Sequence, residues 1–443
     1  MATQGIVLGG GVAGQLAAAV LARRMDAVTM VERDRYEEAN RKGVPQARHA
    51  HLLLARGAMA VDEIVPGTIR ALVAAGAKKV MMPGDIITFT PHGWLPRFDN
   101  ELFLISCQRA LFESVLRARI GDGFEVLQGC DAVGLVGDSG RVSGVRVRDR
   151  DTGSVRQLDA DLVVDATGAG SKAPRWLAEL GVVQQDEVVV DAGIRYATRI
   201  FQPPAELVDA FPAVCVQPDP GAAPHGGVVL PIEGGRWIVS LTGLRGHEPP
   251  TDEAGFARFA DGLRHRLVAD LIATARPEGP IRGYAAPPNR LRRFGEVPGF
   301  VAIGDAVCTV NPLYGHGMTV AALSALALRE HGRQQDIDKV NADAWALAIG
   351  QDVRHGETIA PAQSPLDRVR TAYADRLGMA ATVDQKLAAT LLDAYTLMSP
   401  LSSLLRPRTV VDVLFSRRTH RADNRPPISR QEAALVPAAQ GER

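Results

Sequence analysis

The first thirty-two residues place the strongest constraint on the fold of this chain. A short apolar run bounded by glycine, Gly5–Gly9, predicts a buried strand, and the alanine-rich stretch Val12–Met25 predicts a helix. A second apolar run, Ala27–Glu32, predicts a parallel strand beside the first. Between the first strand and the helix, the segment Gly9–Gly14 matches the pattern Gly-x-Gly-x-x-Gly. The chain is therefore predicted to begin with a βαβ unit that binds a dinucleotide.

The residue types in this unit agree with the chemistry of a dinucleotide. Glycines let the backbone approach a pyrophosphate, and the start of the helix offers unpaired N–H groups to it. Glu32 closes the second strand about 20 residues after the glycines, where a carboxylate binds ribose hydroxyls. Its charge would repel a 2′-phosphate, which leaves NAD and FAD as candidates. The predicted binding residues of this unit are Gly9, Gly11, Val12, Ala13, Gly14 and Glu32.

A second glycine-rich motif, near residue 304, distinguishes between NAD and FAD. Gly304 and Asp305 end a predicted buried strand, and the segment Asn311–Met318 leads into an alanine-rich helix. A carboxylate at this place could bind the ribityl hydroxyls of a flavin. The N–H groups that open the helix could stabilise negative charge on a reduced flavin ring. Two such contacts, far apart along the chain, are what an extended FAD requires, so we expect FAD as the cofactor.

With these motifs the chain resembles the superfamily of FAD-dependent aromatic hydroxylases and epoxidases that have the para-hydroxybenzoate hydroxylase fold. The resemblance extends from Gly5 to about Leu328 and depends on both glycine motifs together. Two further segments, Arg41–His51 and Asp165–Gly168, look like the actinobacterial branch that acts on natural products. That branch includes polyether olefin epoxidases and prenyl-chain epoxidases.

The resemblance implies both a reaction and a role for each matching residue. In that family NADH or NADPH reduces FAD, which reacts with O2 to a C4a-hydroperoxide and transfers one oxygen atom. The implied substrate is an apolar polyketide or terpenoid intermediate, which would be epoxidised or hydroxylated. No side chain is needed as a nucleophile, because the cofactor carries the chemistry.

The implied cofactor residues follow from their positions in the motifs. Gly9, Gly11 and Gly14 would hold the pyrophosphate, Glu32 the adenosine ribose, and Arg33 and Arg109 would lie near the adenosine and phosphates. Arg41 would lie in the loop near the flavin, Asp305 would bind the ribityl chain, and Gly315, Gly317 and Met318 would abut the isoalloxazine ring. The matching motifs also contain Asp165, Gly304 and Pro312.

Three departures from the family pattern leave alternatives open. His316 stands where the family commonly has glutamine, and a chargeable imidazole there could change flavin mobility. Asp165–Gly168 reads Asp-Ala-Thr-Gly rather than the Asp-Gly form linked to NADPH use in aromatic hydroxylases. The chain has no second Gly-x-Gly-x-x-Gly unit, so a nicotinamide would bind transiently, or a separate flavin reductase would supply electrons. The alternative function is a non-redox [4+2] cyclisation of a polyketide, of the dialkyldecalin type, with FAD as a structural element.

The remaining pattern predicts an α/β fold with an inserted sheet. Extended segments and tight turns between about 188 and 281 predict an antiparallel substrate-binding sheet that covers the flavin ring. The predicted Rossmann-type FAD-binding domain comprises residues 1–78, 102–187 and 282–334, the sheet domain 79–101 and 188–281, and a helical C-terminal segment 335–443. Candidate pocket walls are the aromatic residues of the sheet and the flavin loop, Tyr196, Trp237 and Tyr314, together with His316.

The composition agrees with an enzyme that acts on small molecules in the cytoplasm. Lys and Arg total 50, as do Asp and Glu, so no net charge attracts nucleic acid or an anionic membrane. The four cysteines are far apart, which argues against disulfides and zinc. His49 and His51 have no acidic or cysteine neighbour, which favours a structural or flavin-proximal place over metal ligation. The apolar stretch Gly5–Ala22 contains glycines and follows no basic segment, so neither a signal peptide nor a membrane span is expected.

Overall fold

The structure, a computed structural model, describes residues 2–36, 49–183, 187–219, 221, 223–362, 364–416 and 425–436. The first elements in chain order are β1 (Gln4–Leu8), α1 (Val12–Leu21), β2 (Ala27–Glu32), β3 (Leu52–Leu54), α2 (Ala55–Ile64), α3 (Thr68–Ala74), β4 (Lys78–Met81), β5 (Ile86–Thr90), β6 (Gly93–Trp94), β7 (Phe103–Ser106), α4 (Arg109–Ile120), β8 (Glu125–Gln128), β9 (Cys130–Gly137), β10 (Val142–Asp149), β11 (Val155–Asp159), β12 (Leu162–Asp165) and α5 (Ala173–Glu179). They are followed by β13 (Val188–Val190), β14 (Arg195–Gln202), β15 (Ala213–Val216), β16 (His225–Ile232), β17 (Arg236–Gly243), α6 (Glu253–Asp261), α7 (Leu267–Thr274), β18 (Arg276–Ala285), β19 (Asn289–Leu291), β20 (Phe300–Ala302), β21 (Cys308–Thr309), α8 (Gly317–Glu330), α9 (Gln334–Asp352), α10 (Pro365–Ala381), α11 (Gln385–Tyr395), α12 (Pro407–Phe415) and α13 (Arg430–Leu435).

A five-stranded parallel sheet, in the order β20–β12–β1–β2–β8, lies at the centre of the largest hydrophobic core. β1 pairs in parallel with β12 on one side and with β2 on the other. α1 and α8 contribute fully buried apolar side chains to the same core, among them Leu16 and Val320. The predicted βαβ unit is confirmed, although α1 ends at Leu21 and closes with turn hydrogen bonds as far as Met25.

The parallel arrangement brings the carboxyl ends of four strands to one edge of this sheet. β2, β1, β12 and β20 follow one another in the sheet, and each pairs in parallel with the next. The segments that follow them begin at Gly9, Arg33, Ala166 and Ile303. Ligands of open α/β sheets bind beyond the carboxyl ends of the strands. The glycine motifs predicted from the sequence therefore meet at the edge where a ligand is expected.

The second large sheet has seven strands in the order β18–β14–β17–β16–β15–β5–β6. Its pairs are antiparallel except for β15 and β5, which run in parallel. The sheet thus combines strands from the two segments predicted to share a domain, and β18 continues to Ala285. β13 does not join it, because it pairs with β19 instead. The domain bounds themselves stay a prediction.

Side chains alternate between the two faces of the seven-stranded sheet. The outer face packs on α6 and α7 through apolar residues such as Val239, Leu241 and Phe256. The opposite, inner face carries Ser240 and Thr242 from β17 and Val228 and Leu230 from β16, and these residues line a cavity that reaches the edge of the parallel sheet. This sheet therefore forms the ceiling of the cavity.

The C-terminal part of the chain is helical, as expected. Ala388 and Leu392 of α11 pack against the seven-stranded sheet in a cluster that includes Ile238. Among the described helices, none combines the length and the apolar character needed to cross a membrane.

Candidate functional site

The glycine turn after β1 has the geometry of an anion-binding helix start. Gly9 has a left-handed backbone with φ +96°, which glycine adopts without strain. A Cβ atom on Gly14 would lie 1.8 Å from the carbonyl oxygen of Gly9, so only glycine lets α1 pack this closely on the turn. Within the described ranges, no side chain caps α1 at Gly11, and the space beside its Cα is open. The first N–H groups of α1 are therefore available to a phosphate.

Glu32 holds the turn from the end of β2. Its Oε2 accepts a hydrogen bond from the Gly10 N–H at 2.6 Å, and its Oε1 accepts one from the Asp34 N–H at 2.7 Å. A Cβ atom on Gly10 would lie 2.7 Å from the same Oε2, so a larger residue there would displace the Glu32 carboxylate. Glu32 also lines the cavity, as a carboxylate that binds ribose hydroxyls must.

Asp305 lies in the wall of the cavity after β20. The preceding Gly304 has φ +57°, and a Cβ atom there would meet Ala13 at 3.0 Å. Removal from water raises the pKa of Asp305 to about 6, while the charges of Arg109 and Arg292 act in the opposite direction. A poorly solvated carboxylate with a perturbed pKa is typical of a binding or catalytic site, because hydroxyl donors on a ligand would stabilise its charge.

The segment before α8 forms the wall beside Asp305. The Asn311 side chain accepts a hydrogen bond from the Leu313 N–H at 3.0 Å, which opens a single 3-10 turn. Gly315 then has a left-handed backbone with φ +69°. α8 begins at Gly317, where no side chain of the described residues caps the helix. The N-terminus of a second helix is thus available at the cavity wall, with Met318 beside it.

One cavity of about 700 Å³ joins these features, within the ~300–1,000 Å³ typical of small-molecule sites. The predicted residues that line it are Gly9, Gly11, Val12, Ala13, Glu32, Arg33, Arg109, Tyr196, Asp305, Pro312, Gly315, Gly317 and Met318. Both glycine motifs, together with residues of the sheet ceiling, therefore face the same space. This donor set fits an extended dinucleotide: helix N-termini for phosphates, Glu32 at one end and Asp305 farther along.

Among the described residues, three predicted cofactor residues do not line the cavity. Gly14 and Gly304 lie behind its wall, where they permit close packing. Asp165 is fully buried and accepts hydrogen bonds from the N–H and the Oγ1 of Thr167, which lines the cavity, so it shapes the wall from behind. Arg41 lies outside the described residues.

His316 and Tyr314 do not face the cavity, which corrects their expected place as pocket walls. His316 is fully buried, and its Nε2 donates a hydrogen bond to the Tyr395 carbonyl at 2.8 Å. Burial lowers the pKa of His316 to about 4, so the imidazole is neutral at physiological pH. The Tyr314 hydroxyl donates to the carboxylate of Asp352 on α9. Both side chains thus connect the loop before α8 to the C-terminal helices.

Trp237 also lies outside the cavity, for a reason of strand geometry. It is 3 % exposed and packs in the outer core with Val239 and Leu241. Alternate residues of a strand point to opposite faces, so Trp237 points to the outer core and Ser240 and Thr242 point to the cavity. Tyr196 on β14 does line the cavity, and its hydroxyl donates to Asn311 Oδ1 at 2.7 Å.

Sequence reasoning missed most of the ceiling, where Ser240, Thr242 and Tyr284 line the cavity. His49, expected in a structural or flavin-proximal place, also lines it and lies near Tyr284 with ring centroids 5.0 Å apart. A usable signal existed in β17, where two hydroxyl residues alternate with apolar ones in a strand that is buried almost throughout. The sequence did not show which face of the predicted sheet borders the pocket, so the alternation in β17 could not be linked to the pocket.

Comparison with known proteins agrees with this geometry. Residues 104–331 and residues 5–180 match two family descriptions, each of an FAD dependent oxidoreductase. A Mycobacterium tuberculosis protein named Protein Rv3254 is 32% identical over 352 residues, which cover 73% of this chain and 72% of the relative.

Solved structures share the fold at low sequence identity. A flavoprotein/dehydrogenase from Cytophaga hutchinsonii has a TM-score of 0.67 at 15% identity, covering 94% of this chain and 98% of that one. The p-nitrophenol 4-monooxygenase of Pseudomonas putida DLL-E4 has a TM-score of 0.63 at 16% identity, with coverage of 89% and 98%. A Diels-Alderase from the biosynthetic pathway of pyrroindomycins has a TM-score of 0.60 at 17% identity, with coverage of 89% and 80%. At these identities the likeness shows the fold alone.

The family match covers more than half of the chain, and the fold, the glycine turns and the cavity all agree with it. The chain belongs to the FAD-dependent oxidoreductases.

Proposed function

We propose that this protein is an FAD-dependent monooxygenase that epoxidises or hydroxylates a largely apolar small molecule of the polyketide or terpenoid class. The observation that carries the proposal is the shared cavity, which is lined by both glycine motifs and by the inner face of the seven-stranded sheet. A cofactor extended from Glu32 to Met318 would bring its far end under that ceiling. A second molecule would then bind between cofactor and sheet.

The residues of the chain would bind and orient the cofactor. The first N–H groups of α1, reached across Gly9 and Gly11, would bind the phosphates, and Glu32 would accept the ribose hydroxyls. Asp305 would accept hydroxyls of the ribityl chain. The N-terminus of α8, at Gly317, would stabilise negative charge through its N–H groups and helix dipole. When bound, FAD supplies hydride acceptance and the activation of dioxygen for transfer of one oxygen atom.

The ceiling would position the substrate and exclude water. Val228 and Leu230 give it an apolar part, and Tyr196 and Tyr284 give it an aromatic part. Closing an apolar site to water protects reactive species from hydrolysis and strengthens the electrostatic interactions inside. The electrons would come from NADH or NADPH bound transiently, or from a separate flavin reductase.

A non-redox polyketide cyclisation is the competing function, and the placement of His316 removes one reason for it. The altered loop residue points towards α11 rather than into the cavity, so it leaves the cofactor side of the site unchanged. The similarity to a Diels-Alderase concerns the fold, which monooxygenases share. The mass of the product separates the two functions.

The test is anaerobic reduction followed by turnover in air. We expect the purified protein to carry FAD, to bleach when mixed with NADH, NADPH or a flavin reductase system, and to reoxidise when air is admitted. With a substrate, the product should be heavier by one oxygen atom. Flavin that stays oxidised under all three conditions, with a product of unchanged mass, would favour the cyclase. Protein that cannot be reconstituted with FAD would refute both functions.

A further inference from the structure

A chain of three hydrogen-bonded side chains crosses the ceiling of the cavity. β14 and β17 pair Thr198 with Ser240, and the two hydroxyl oxygens are 2.6 Å apart. His49 Nδ1 lies 2.8 Å from Thr198 Oγ1. All three residues are at most 7% exposed, and both ends of the chain, His49 and Ser240, line the cavity. We call these three residues the hydroxyl chain.

Counting protons along the hydroxyl chain shows what Ser240 offers to the cavity. When His49 Nδ1 carries its proton, it donates to Thr198, and the Thr198 hydroxyl donates to Ser240. Ser240 also accepts the Ala50 N–H at 3.4 Å, so both of its acceptor positions are occupied. Its own proton then has no acceptor among the described residues, and the cavity is where it can find one.

The opposite direction of the same hydroxyl chain makes Ser240 an acceptor. If His49 carries its proton on Nε2, then Thr198 donates to His49 Nδ1, and Ser240 donates to Thr198. Ser240 then has one free acceptor position beside the one used by Ala50. The tautomer of His49 thus determines whether Ser240 meets a ligand as a donor or as an acceptor. A ligand carbonyl can only accept, so it suits the state in which Ser240 donates. A ligand hydroxyl can donate or accept, so it suits both states.

The surroundings make this polar position selective. Along the row of the sheet that contains Ser240, the neighbour on β16 is Val228, and Leu230 follows on the same face. On the other side, His49 lies against Tyr284. When His49 carries its proton on Nδ1, the buried Ser240 proton has no acceptor in the described part of the protein, which is costly, so an occupant that offers an oxygen atom here is favoured over one that offers only carbon.

On these grounds we propose that Ser240 binds an oxygen atom of the substrate. The substrate is therefore an apolar framework that already bears a carbonyl or hydroxyl group, rather than a bare hydrocarbon chain. This inference rests on the proposed function, because it takes the space beneath the ceiling as the substrate site. It also implies that a reaction introducing or retaining oxygen, such as polyketide assembly or a prior oxygenation, supplies the substrate.

The test compares three aromatic probes of similar size: 2-naphthol, 2-naphthaldehyde and 2-methylnaphthalene. Each is titrated into the FAD-loaded protein while the flavin absorbance is followed. We expect the two oxygenated probes to bind about three- to tenfold more tightly than the methyl compound, which is the usual worth of one neutral hydrogen bond. Ser240→Ala should abolish this preference and leave the affinity for 2-methylnaphthalene unchanged.

Thr242→Val is the matched control, because it removes a hydroxyl from the same face of β17 outside the hydroxyl chain. The preference should persist in this variant. Equal binding of the three probes by the wild-type protein, no binding of any probe, or loss of the preference in Thr242→Val but not in Ser240→Ala would overturn the proposal.

Reduction of the flavin by nicotinamide, measured on the same samples, reports on the proposed function separately. A protein that shows the Ser240-dependent preference but never yields an oxygenated product would retain this inference and lose the monooxygenase assignment. A protein whose flavin is reducible and whose product is oxygenated, but which shows no preference for the oxygenated probes, would retain the monooxygenase assignment and lose this inference.

Discussion

Replacing Asp305 by asparagine changes one charge in the cavity wall and almost none of the volume. The pKa of Asp305 is raised from 3.8 to about 6, first because the carboxyl is removed from water. Each pKa unit corresponds to 1.36 kcal/mol, so the charged form costs up to about 3 kcal/mol in the folded, FAD-free protein. Such a cost is expected where a carboxylate serves ligand binding rather than stability.

The sign of the effect follows from the two pKa values. The folded state holds the Asp305 proton more tightly than the unfolded state does, so the free energy of unfolding falls as the pH rises from about 4 to 6. Above pH 6 the loss is complete. The FAD-free Asp305→Asn variant cannot ionise, so it should be more stable than the wild type by up to about 3 kcal/mol at pH 7.5. Near pH 3.8 and below, the two proteins should converge.

The assay is denaturant unfolding of FAD-free protein at several pH values between 4 and 8, followed by FAD titration. The variant should bind FAD about 10- to 100-fold more weakly, since a hydrogen bond to a charged acceptor contributes about 1.5–3 kcal/mol. Asp209→Asn is the control, because this exposed carboxylate pairs with Lys78 alone among the described residues and should change stability by less than about 1 kcal/mol. If Asp305→Asn is destabilised equally at pH 4 and pH 7.5, or binds FAD like the wild type, the reasoning is refuted.

Four further substitutions test the cavity and its surroundings. Gly14→Ala should destabilise the protein by about 3 kcal/mol and abolish FAD binding, because the new Cβ would clash with the Gly9 carbonyl oxygen. Gly11→Ala, which has open space around it, should weaken FAD binding without changing the midpoint of denaturant unfolding. Equal unfolding midpoints for the two variants would contradict this reasoning. As the pH falls from 6.5 to about 4, the free energy of unfolding of the wild-type protein should fall by up to about 3 kcal/mol more than that of His316→Gln, because the buried imidazole of the folded state resists protonation. If the two proteins show parallel pH profiles in denaturant unfolding, a neutral His316 is refuted. Trp237→Ala should cost about 3–5 kcal/mol of stability while leaving the flavin spectrum and probe binding unchanged, and altered probe affinity would place this side chain at the cavity after all.

The part of the cavity formed by the glycine motifs could be predicted because its signals are local. Glycines at fixed spacing, a strand before them and a carboxylate at the end of the next strand are all consequences of short-range backbone geometry. The sequence therefore singled out Gly9, Glu32 and Asp305, and all three line the cavity. The arrangement of those residues at one edge follows from the parallel direction of the strands, which the βαβ pattern implies.

The ceiling could not be predicted, because its identity depends on which face of a strand is covered. Along β17 the alternation of residues is visible in the sequence, yet nothing local determines that α6 and α7 cover the face of Trp237 while the face of Ser240 closes the cavity. His316 illustrates the same limit, since only the packing of α11 against the loop before α8 turns its side chain away from the cofactor space. The sequence by itself determined the cofactor and the class of fold, whereas the tertiary structure decided which side chains line the ceiling of the cavity. The physical reason is that one face of a strand or loop becomes buried only when a distant element packs against it.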